Sequence, residues 1–284
     1  MKDDHPHKLG FIGLGLMGTP MCRNLIQAGL DLFVTSRSRE PREKLAEAGA
    51  IALETPRQVA VAADTIIIMV ADTAAVESVL FGENGVINGL RENSLVIDMG
   101  TTSVIQTRRF AELISGKGGF YVDAPVSGGT IGAESGSLTI MAGGSGEAFE
   151  RALPLLKVLG DRITHVGAAG AGQVAKAANQ VIVGLNIGAA AEALALAKAA
   201  GVDPAKVREA LRGGFADSRI LEVHGKRMVD GDYSLGARCT TQRKDMHQAI
   251  ELAEDLDNSP FLDFLCSKSA EKNCYLVSGV NEKE

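Results

Sequence analysis

Lys176 is the residue whose position suggests chemistry most directly, because the stretch from Gln173 to Ala200 is otherwise almost uncharged. A helix that is apolar on nearly all sides is buried, and its few polar side chains then face a partner or a cavity. We therefore predict that Lys176 is a proton donor over a substrate pocket rather than a solvated lysine. Steps of three and four residues place it on one helical stripe with Gly172, Asn179, Val183 and Asn186.

A glycine-rich turn near the N-terminus is typical of dinucleotide binding. Here Gly13-Leu14-Gly15-Leu16-Met17-Gly18 follows an apolar run and opens a helical pattern. In this motif the first glycine permits the tight turn, the second lets a diphosphate approach the backbone, and the third allows close packing. We predict that these six residues bind a dinucleotide cofactor.

The end of the second predicted strand should contact the cofactor's adenosine ribose, about twenty residues further on. An acidic residue there would bind the 2′-hydroxyl of NAD(H), but the chain has Ser36, Arg37 and Ser38. These side chains can donate to a 2′-phosphate. NADP(H) is therefore favoured and NAD(H) stays possible, with a merely solvated Arg37 as the alternative.

Further polar residues follow later apolar runs, where parallel sheets bind ligands. Ser127, Gly128 and Gly129 offer a hydroxyl and backbone amides that suit a carboxylate, although an ordinary tight turn has the same composition. Thr101 and Thr102 stand at the same edge and could line the nicotinamide side. Lys244 lies in a later helix, where it could also be a surface charge.

Composition excludes several classes of protein. The net charge of −6 over 284 residues, without a basic block, argues against a nucleic-acid partner. The cysteines form no CxxC pair or metal-spaced set, so we expect no metal and a reduced, cytoplasmic protein. The polar start 1–8 is too short for a signal peptide. The run Val181–Ala197 contains Asn186 and Glu192, which favours a buried helix over a membrane span.

Apolar runs alternate with helical patterns in the first half of the chain, and only helical patterns follow. This order predicts an α/β fold: a doubly wound, Rossmann-type sheet followed by an all-α domain. Strands are predicted at Leu9–Gly15, Asp31–Ser36, Thr65–Ala71, Ser94–Gly100, Phe120–Val126 and Ser137–Gly143, and they stop near His165. The predicted domains are 1–166, which binds NAD(P), and 167–284, which is helical, binds substrate and oligomerises.

Four segments together resemble the β-hydroxyacid dehydrogenase family: Gly10–Met21, Asp123–Gly129, Gly170–Gln180 and Arg243–Met246. The resemblance implies a small carboxylate-bearing aldehyde or hydroxy acid as substrate. The long apolar helix predicted from Gly172 to Ala200 is longer than one small helical domain needs, which predicts a homo-oligomer (dimer or tetramer). The resemblance assigns Lys176 as catalytic acid/base, Asn179 and the Ser127 turn as substrate contacts, and Thr101 and Lys244 as cofactor contacts. Val70 is the cofactor-side residue after which the family usually has a proline, where this chain has Ala71.

Within the family, the segments Leu80–Val86, Asn179–Leu194 and Gly213–Met228 favour tartronate semialdehyde as the substrate, reduced to glycerate. A 3-hydroxyisobutyrate dehydrogenase or a glyoxylate/succinic semialdehyde reductase is the alternative inside the fold. A non-catalytic dinucleotide-binding scaffold is the alternative outside it, although a scaffold has no use for a buried lysine.

Overall fold

The computed structural model of the chain describes residues 8–234 and 239–256. The helical piece predicted after Asp255, together with Cys266 and Cys274, lies outside the described residues. The chain forms two compact units that divide between Lys176 and Ala177.

The first unit contains a sheet in the order β3-β2-β1-β4-β5-β6-β8-β7, with β9 paired to β8. Strands β1 to β6 are parallel, β8 runs antiparallel to β6 and β7, and β9 runs parallel to β8. Their bounds are β1 Leu9–Ile12, β2 Leu32–Thr35, β3 Ile51–Ala52, β4 Thr65–Ile68, β5 Leu95–Asp98, β6 Phe120–Asp123, β7 Val126–Ser127, β8 Leu138–Gly143 and β9 Gly160–Gly167.

Helices connect these strands and cover the sheet. Several begin at a capping side chain: Asp72 accepts from the amide of Ala75, and Ser145 accepts from that of Ala148. The helices of this unit are α1 Gly18–Gln27, α2 Arg39–Glu47, α3 Pro56–Ala62, α4 Thr73–Phe81, α5 Val104–Ser115, α6 Gly129–Ser135 and α7 Gly146–Leu159.

Neighbouring residues of one strand belong to different apolar clusters, which shows that both faces of the sheet are covered. Phe11 packs in one cluster and Ile12 in the other, and Ile67 and Ile68 alternate in the same way. This burial explains the continuous apolar runs of the sequence. The predicted doubly wound α/β fold is confirmed.

The second unit is helical within the residues described. Helix α8, Ala171–Ala199, begins in the first unit and continues into the second; it is followed by α9 Pro204–Leu211, α10 Arg219–Asp230 and α11 Cys239–Asp255. Of the helices described, α8 alone has the length and composition of a membrane span, which is also typical of a soluble core helix. That α8 is a buried helix rather than a membrane span therefore stays a prediction.

The sequence prediction missed strand β9 and misjudged the direction of β8. Strand β9 carries exposed residues such as Asp161 and Arg162, so it has no continuous apolar run. Strand β8 was expected in the parallel part of the sheet, but an apolar run reads the same in either direction, and the chain reverses between β7 and β8, through α6. The brief elements β3, α3, β7 and α6 were also missed.

The division of the chain lies ten residues after the predicted boundary at 166/167. The first turn of α8 packs with the sheet, because the backbone amide of Gln173 donates to the carboxylate of Asp123 on β6. The functional division into a cofactor domain and a substrate domain stays a prediction.

Candidate functional site

The glycine turn after β1 is built by two close approaches of backbone to backbone. Gly13 has a φ of +104°, and a Cβ there would lie 2.2 Å from the carbonyl oxygen of Met69. A Cβ on Gly18 would lie 1.9 Å from the carbonyl oxygen of Gly13. Both positions therefore exclude any larger residue, in agreement with the tight turn and close packing predicted for them.

Gly15 differs from these two glycines, because a Cβ there would meet nothing within 4 Å. Helix α1 starts beside it without a side-chain cap and without an acidic residue in its first turn. Its first amides can therefore take an anion, and the local structure fits a diphosphate. Within the same turn Leu14 is buried, Met17 is half-buried and Leu16 is exposed.

The segment predicted to read the ribose follows β2 and adjoins the glycine turn, since the amide of Gly13 donates to the carbonyl of Thr35. Ser36 is half-buried, whereas Arg37 and Ser38 are exposed. Ser38 is the N-cap of α2, but its side chain makes no capping hydrogen bond. Three side chains capable of donating to a phosphate thus stand next to the turn that fits a diphosphate.

Asp98 ends β5 as a fully buried carboxylate that organises the following loop. It accepts hydrogen bonds from the amide of Gly100, the hydroxyl of Thr102 and the hydroxyl of Tyr121, at 3.0, 2.7 and 3.2 Å. Burial raises the pKa of Asp98 to about 6, although these hydrogen bonds oppose the shift. Burial, and then the charge of Asp98, raises the pKa of Tyr121 well above its usual value.

Asp123 is the neighbour of Asp98 in the sheet register and holds the start of α8. Its two carboxylate oxygens accept from the amides of Gly170 and Gln173, at 2.8 and 2.9 Å. Burial raises the pKa of Asp123, and these backbone hydrogen bonds oppose the rise. The glycine at 172 is required, since a Cβ there would lie 2.4 Å from the carbonyl oxygen of Met141.

The loop after β5 carries Thr101, the predicted nicotinamide-side residue, which is half-buried. The side chain of Gln173 bonds to the backbone on both sides of it. Val70 borders the same loop, because a Cβ on Gly100 would lie 3.1 Å from the carbonyl oxygen of Val70. The structure therefore brings Val70 and Thr101 close together in the first unit.

Lys176 is only 7% exposed, which excludes the solvated lysine. Its Nζ donates to the carbonyl oxygen of Val126 at 2.8 Å. Val126 precedes Ser127, a half-buried residue, and the exposed Gly128 and Gly129 follow with φ of +128° and +59°. The amine predicted as proton donor and the turn predicted to bind a carboxylate thus lie side by side.

The second unit holds the remaining predicted residues in a polar network. The amide nitrogen of Asn179 donates to the side-chain oxygen of Gln180 at 2.7 Å. Gln180 in turn donates to Gln242 and to Asp245, at 2.9 and 2.7 Å. Lys244 forms an ion pair with the buried Asp245 at 2.8 Å, so it is more than a solvated surface charge.

Sequence reasoning missed two residues of the first unit, Asp98 and Gln173. The sequence does contain a pattern that could have identified Asp98. This residue directly follows the apolar run Leu95–Ile97, and an ionisable residue at the end of a buried strand is rarely buried without a partner. Gln173 lies one turn before Lys176 on the same helix. Among the described residues, three or more metal-binding side chains do not cluster anywhere.

Comparisons with known proteins agree with this arrangement. Residues 8–167 match the NAD binding domain of 6-phosphogluconate dehydrogenase, which is more than half of the chain. Residues 170–269 match the NAD-binding domain of NADP-dependent 3-hydroxyisobutyrate dehydrogenase. The chain belongs to the β-hydroxyacid dehydrogenase family. It is therefore an oxidoreductase that uses a nicotinamide dinucleotide, which confirms the predicted enzyme class over the non-catalytic scaffold.

Individual relatives and solved structures align with most of the chain. The 2-hydroxy-3-oxopropionate reductase of Escherichia coli is 51% identical over 88% of this chain and 85% of its own. The 3-hydroxyisobutyrate dehydrogenase of Mycobacterium tuberculosis, solved with L-serine, has a TM-score of 0.85 at 28% identity and covers 95% and 93% of the two chains. Psf3 in complex with NADP+ and 2-OPP has a TM-score of 0.87 at 25% identity and covers 96% and 100%.

Proposed function

We propose that this enzyme reduces tartronate semialdehyde, which is 2-hydroxy-3-oxopropionate, to glycerate, with Lys176 as the general acid. The observation that carries the proposal is the buried amine of Lys176 beside the Ser127 turn. The substrate assignment is supported by the 51% identity to the Escherichia coli reductase. The identity of the substrate and the role of Lys176 can be tested separately.

The roles of the residues follow from their chemistry. When bound, the dihydronicotinamide supplies hydride to the aldehyde carbon. Lys176 donates a proton to the carbonyl oxygen, and Asn179 orients either that oxygen or the lysine. The hydroxyl of Ser127 and the backbone amides of Gly128 and Gly129 bind the substrate carboxylate. Fixing the carboxylate positions the carbonyl, and such positioning supplies much of the rate enhancement.

We further propose that the cofactor is NADPH, with NADH as the weaker alternative. The turn Gly13–Gly18 would hold the diphosphate, and Ser36, Arg37 and Ser38 would donate to the 2′-phosphate. Val70, Thr101 and Lys244 would contact other parts of the cofactor. The absence of an acidic residue from Thr35 to Arg39 supports this preference, because no carboxylate repels the phosphate.

The substrate proposal rests on the polarity of the residues that would surround it. Asn179 and Ser127 offer more hydrogen bonds than a methyl-bearing substrate can use. The polar side chains of the segment Phe215–Ser218 are already engaged, because Asp217 accepts from the amides of Gly213 and Ser218, and Ser218 caps α10. The nearest alternative substrate is methylmalonate semialdehyde, the substrate of a 3-hydroxyisobutyrate dehydrogenase, because it carries a methyl group in place of the hydroxyl.

The proposal is tested by following NADPH oxidation with tartronate semialdehyde, methylmalonate semialdehyde, succinic semialdehyde and glyoxylate. We expect the highest kcat/KM with tartronate semialdehyde. A higher value with succinic semialdehyde or glyoxylate would move the enzyme to that alternative branch. Turnover with none of the four would contradict the proposed substrate class of small semialdehyde acids.

A cytoplasmic location is part of the proposal. It is supported by Cys22, which is a buried free thiol in the first unit.

A further inference from the structure

Gln173 makes an unusual pair of hydrogen bonds with the loop after β5. Its Nε2 donates to the carbonyl oxygen of Gly100 at 2.9 Å, and its Oε1 accepts from the amide of Thr102 at 3.1 Å. These two backbone groups flank Thr101, the predicted cofactor contact. The side chain is 2% exposed, so no water competes for either bond.

Asp98 holds the same loop from the side of the sheet. It accepts from the amide of Gly100 and from the hydroxyl of Thr102, at 3.0 and 2.7 Å. The residues Gly100–Thr102, called here the Thr101 loop, are thus bound by a strand carboxylate and by a helix amide. Because these hydrogen bonds are buried, a shift of the loop would leave at least one polar group without a partner, which is energetically unfavourable.

The helix end of this connection also holds the proposed proton donor. The backbone amide of Gln173 donates to the carboxylate of Asp123 at 2.9 Å. Lys176 follows three residues later on the same helix face, and its Nζ reaches the carbonyl of Val126. The position of Gln173 therefore determines how far the Thr101 loop lies from the ammonium of Lys176.

We propose that Gln173 is a positioning residue that fixes the Thr101 loop relative to Lys176. Gln173 acts through the Thr101 loop and Lys176, and it contacts neither the transferred proton nor the transferred hydride. Its contribution falls mainly on kcat, because a displacement of about 1 Å between reacting groups can reduce the rate by about 10²-fold. The proposal rests on the functions proposed for Lys176 and Thr101.

The first test is Gln173→Met, which keeps the length of the side chain and removes both hydrogen bonds. We expect kcat to fall by about 10- to 100-fold while the Kd for NADPH changes less than about threefold. Gln106→Met is the matched control, since Gln106 is on α5 and bonds only to the exposed Arg109 among the contacts described. A kcat within twofold of the parent would overturn the proposal, as would a loss of NADPH affinity equal to the loss of kcat.

The second test is Gln173→Glu, because a protonated carboxyl can donate to Gly100 and accept from Thr102, whereas a carboxylate cannot donate. The charged and titratable groups around this position are Asp98, Asp123 and Tyr121 on the sheet and Arg108, whose side chain lies against Gly170. We expect the ratio of variant to parent kcat to rise at least about fivefold from pH 8 to pH 6. The same ratio for Gln173→Met should stay flat, and a flat ratio in both variants would contradict the positioning role.

Hydrogen exchange provides a readout that needs no turnover. In the cofactor-free Gln173→Met variant, we expect faster exchange at the amide of Thr102 and unchanged exchange in β1 and β4. Faster exchange throughout the sheet would show a general loss of structure and would overturn the proposal. The kinetic comparison uses whichever aldehyde the parent turns over best, so an error in the substrate assignment affects only the proposed function.

Discussion

The Nζ of Lys176 lies 2.8 Å from the carbonyl oxygen of Val126 and donates a hydrogen bond to it. The side chain is anchored at its base by a helix whose start is bonded to Asp123, and at its tip by the residue before Ser127. An ammonium held at both ends has little rotamer freedom left to lose when a substrate binds. This geometry makes Lys176 the first residue to test.

Replacing Lys176 with alanine should abolish most turnover and leave NADPH affinity nearly unchanged. General acid catalysis contributes roughly 10²–10⁴-fold, so kcat should fall by at least that range. The measurement is steady-state kcat together with the NADPH Kd. Lys198→Ala, at the exposed end of the same helix, is the control and should retain the parent kcat. A decrease smaller than tenfold in Lys176→Ala would make the lysine structural.

Replacing Asp98 with asparagine should change how stability depends on pH. The pKa of Asp98 is about 6 in the folded protein and about 3.9 when unfolded, so the folded state binds the proton more tightly. The stabilisation that this provides is complete below about pH 4 and is lost as the pH rises through 6. The stability of Asp98→Asn relative to the parent should therefore rise by on the order of 2 kcal/mol from pH 4.5 to 7.

Urea unfolding of both proteins at several pH values measures this difference. Asp123, whose pKa is also raised by burial, is present in both proteins, so the comparison isolates the contribution of Asp98. A difference in the free energy of unfolding that does not vary with pH would contradict the buried, titrating carboxylate.

Replacing Arg37 with aspartate should shift cofactor preference from NADPH towards NADH. The change removes a phosphate donor and introduces an acceptor for the ribose 2′-hydroxyl. The ratio of kcat/KM for the two cofactors should move by at least about tenfold, or roughly 1.4 kcal/mol. Arg23→Asp, an equal change of charge on an exposed part of α1, should leave the ratio unchanged. If parent and Arg37→Asp use the two cofactors equally well, Arg37 has no such role.

Self-association should occur through the long helix α8. Its 29 residues extend about 44 Å, more than one small helical unit needs to bury. In the second unit, Ile182 and Leu196 are 61% and 72% exposed on this helix, so apolar side chains are available for contact with another copy of the chain. Sedimentation at micromolar concentration should give a dimer or tetramer, and a clean monomer would contradict this prediction.

The features that the sequence predicted well are those encoded by neighbours in the chain. The glycine turn depends on spacings within six residues, and the burial of Lys176 is visible in the apolar residues that surround it. The alternation of apolar runs and helical patterns likewise predicted the α/β sheet and the helical second half. In each case the local pattern is itself the cause of the structure.

The features that the sequence did not reveal depend on partners distant in the chain. Gln173 bonds to residues 71 and 73 positions away, and nothing beside it in the sequence marks those contacts. Strand β9 forms by pairing with β8 although most of its residues are exposed. The antiparallel direction of β8 depends on the turn before it, since apolarity alone carries no direction.

Whether the enzyme prefers a hydroxyl-bearing semialdehyde is tested by comparing kcat/KM for tartronate semialdehyde with kcat/KM for methylmalonate semialdehyde. A site built to hydrogen-bond a hydroxyl can reject a methyl analogue by up to about 10⁴-fold, whereas an apolar site discriminates by roughly 10²-fold in the opposite direction. With NADPH at one pH, we expect a kcat/KM at least about tenfold higher for tartronate semialdehyde. A higher kcat/KM for methylmalonate semialdehyde would contradict it and identify a 3-hydroxyisobutyrate dehydrogenase.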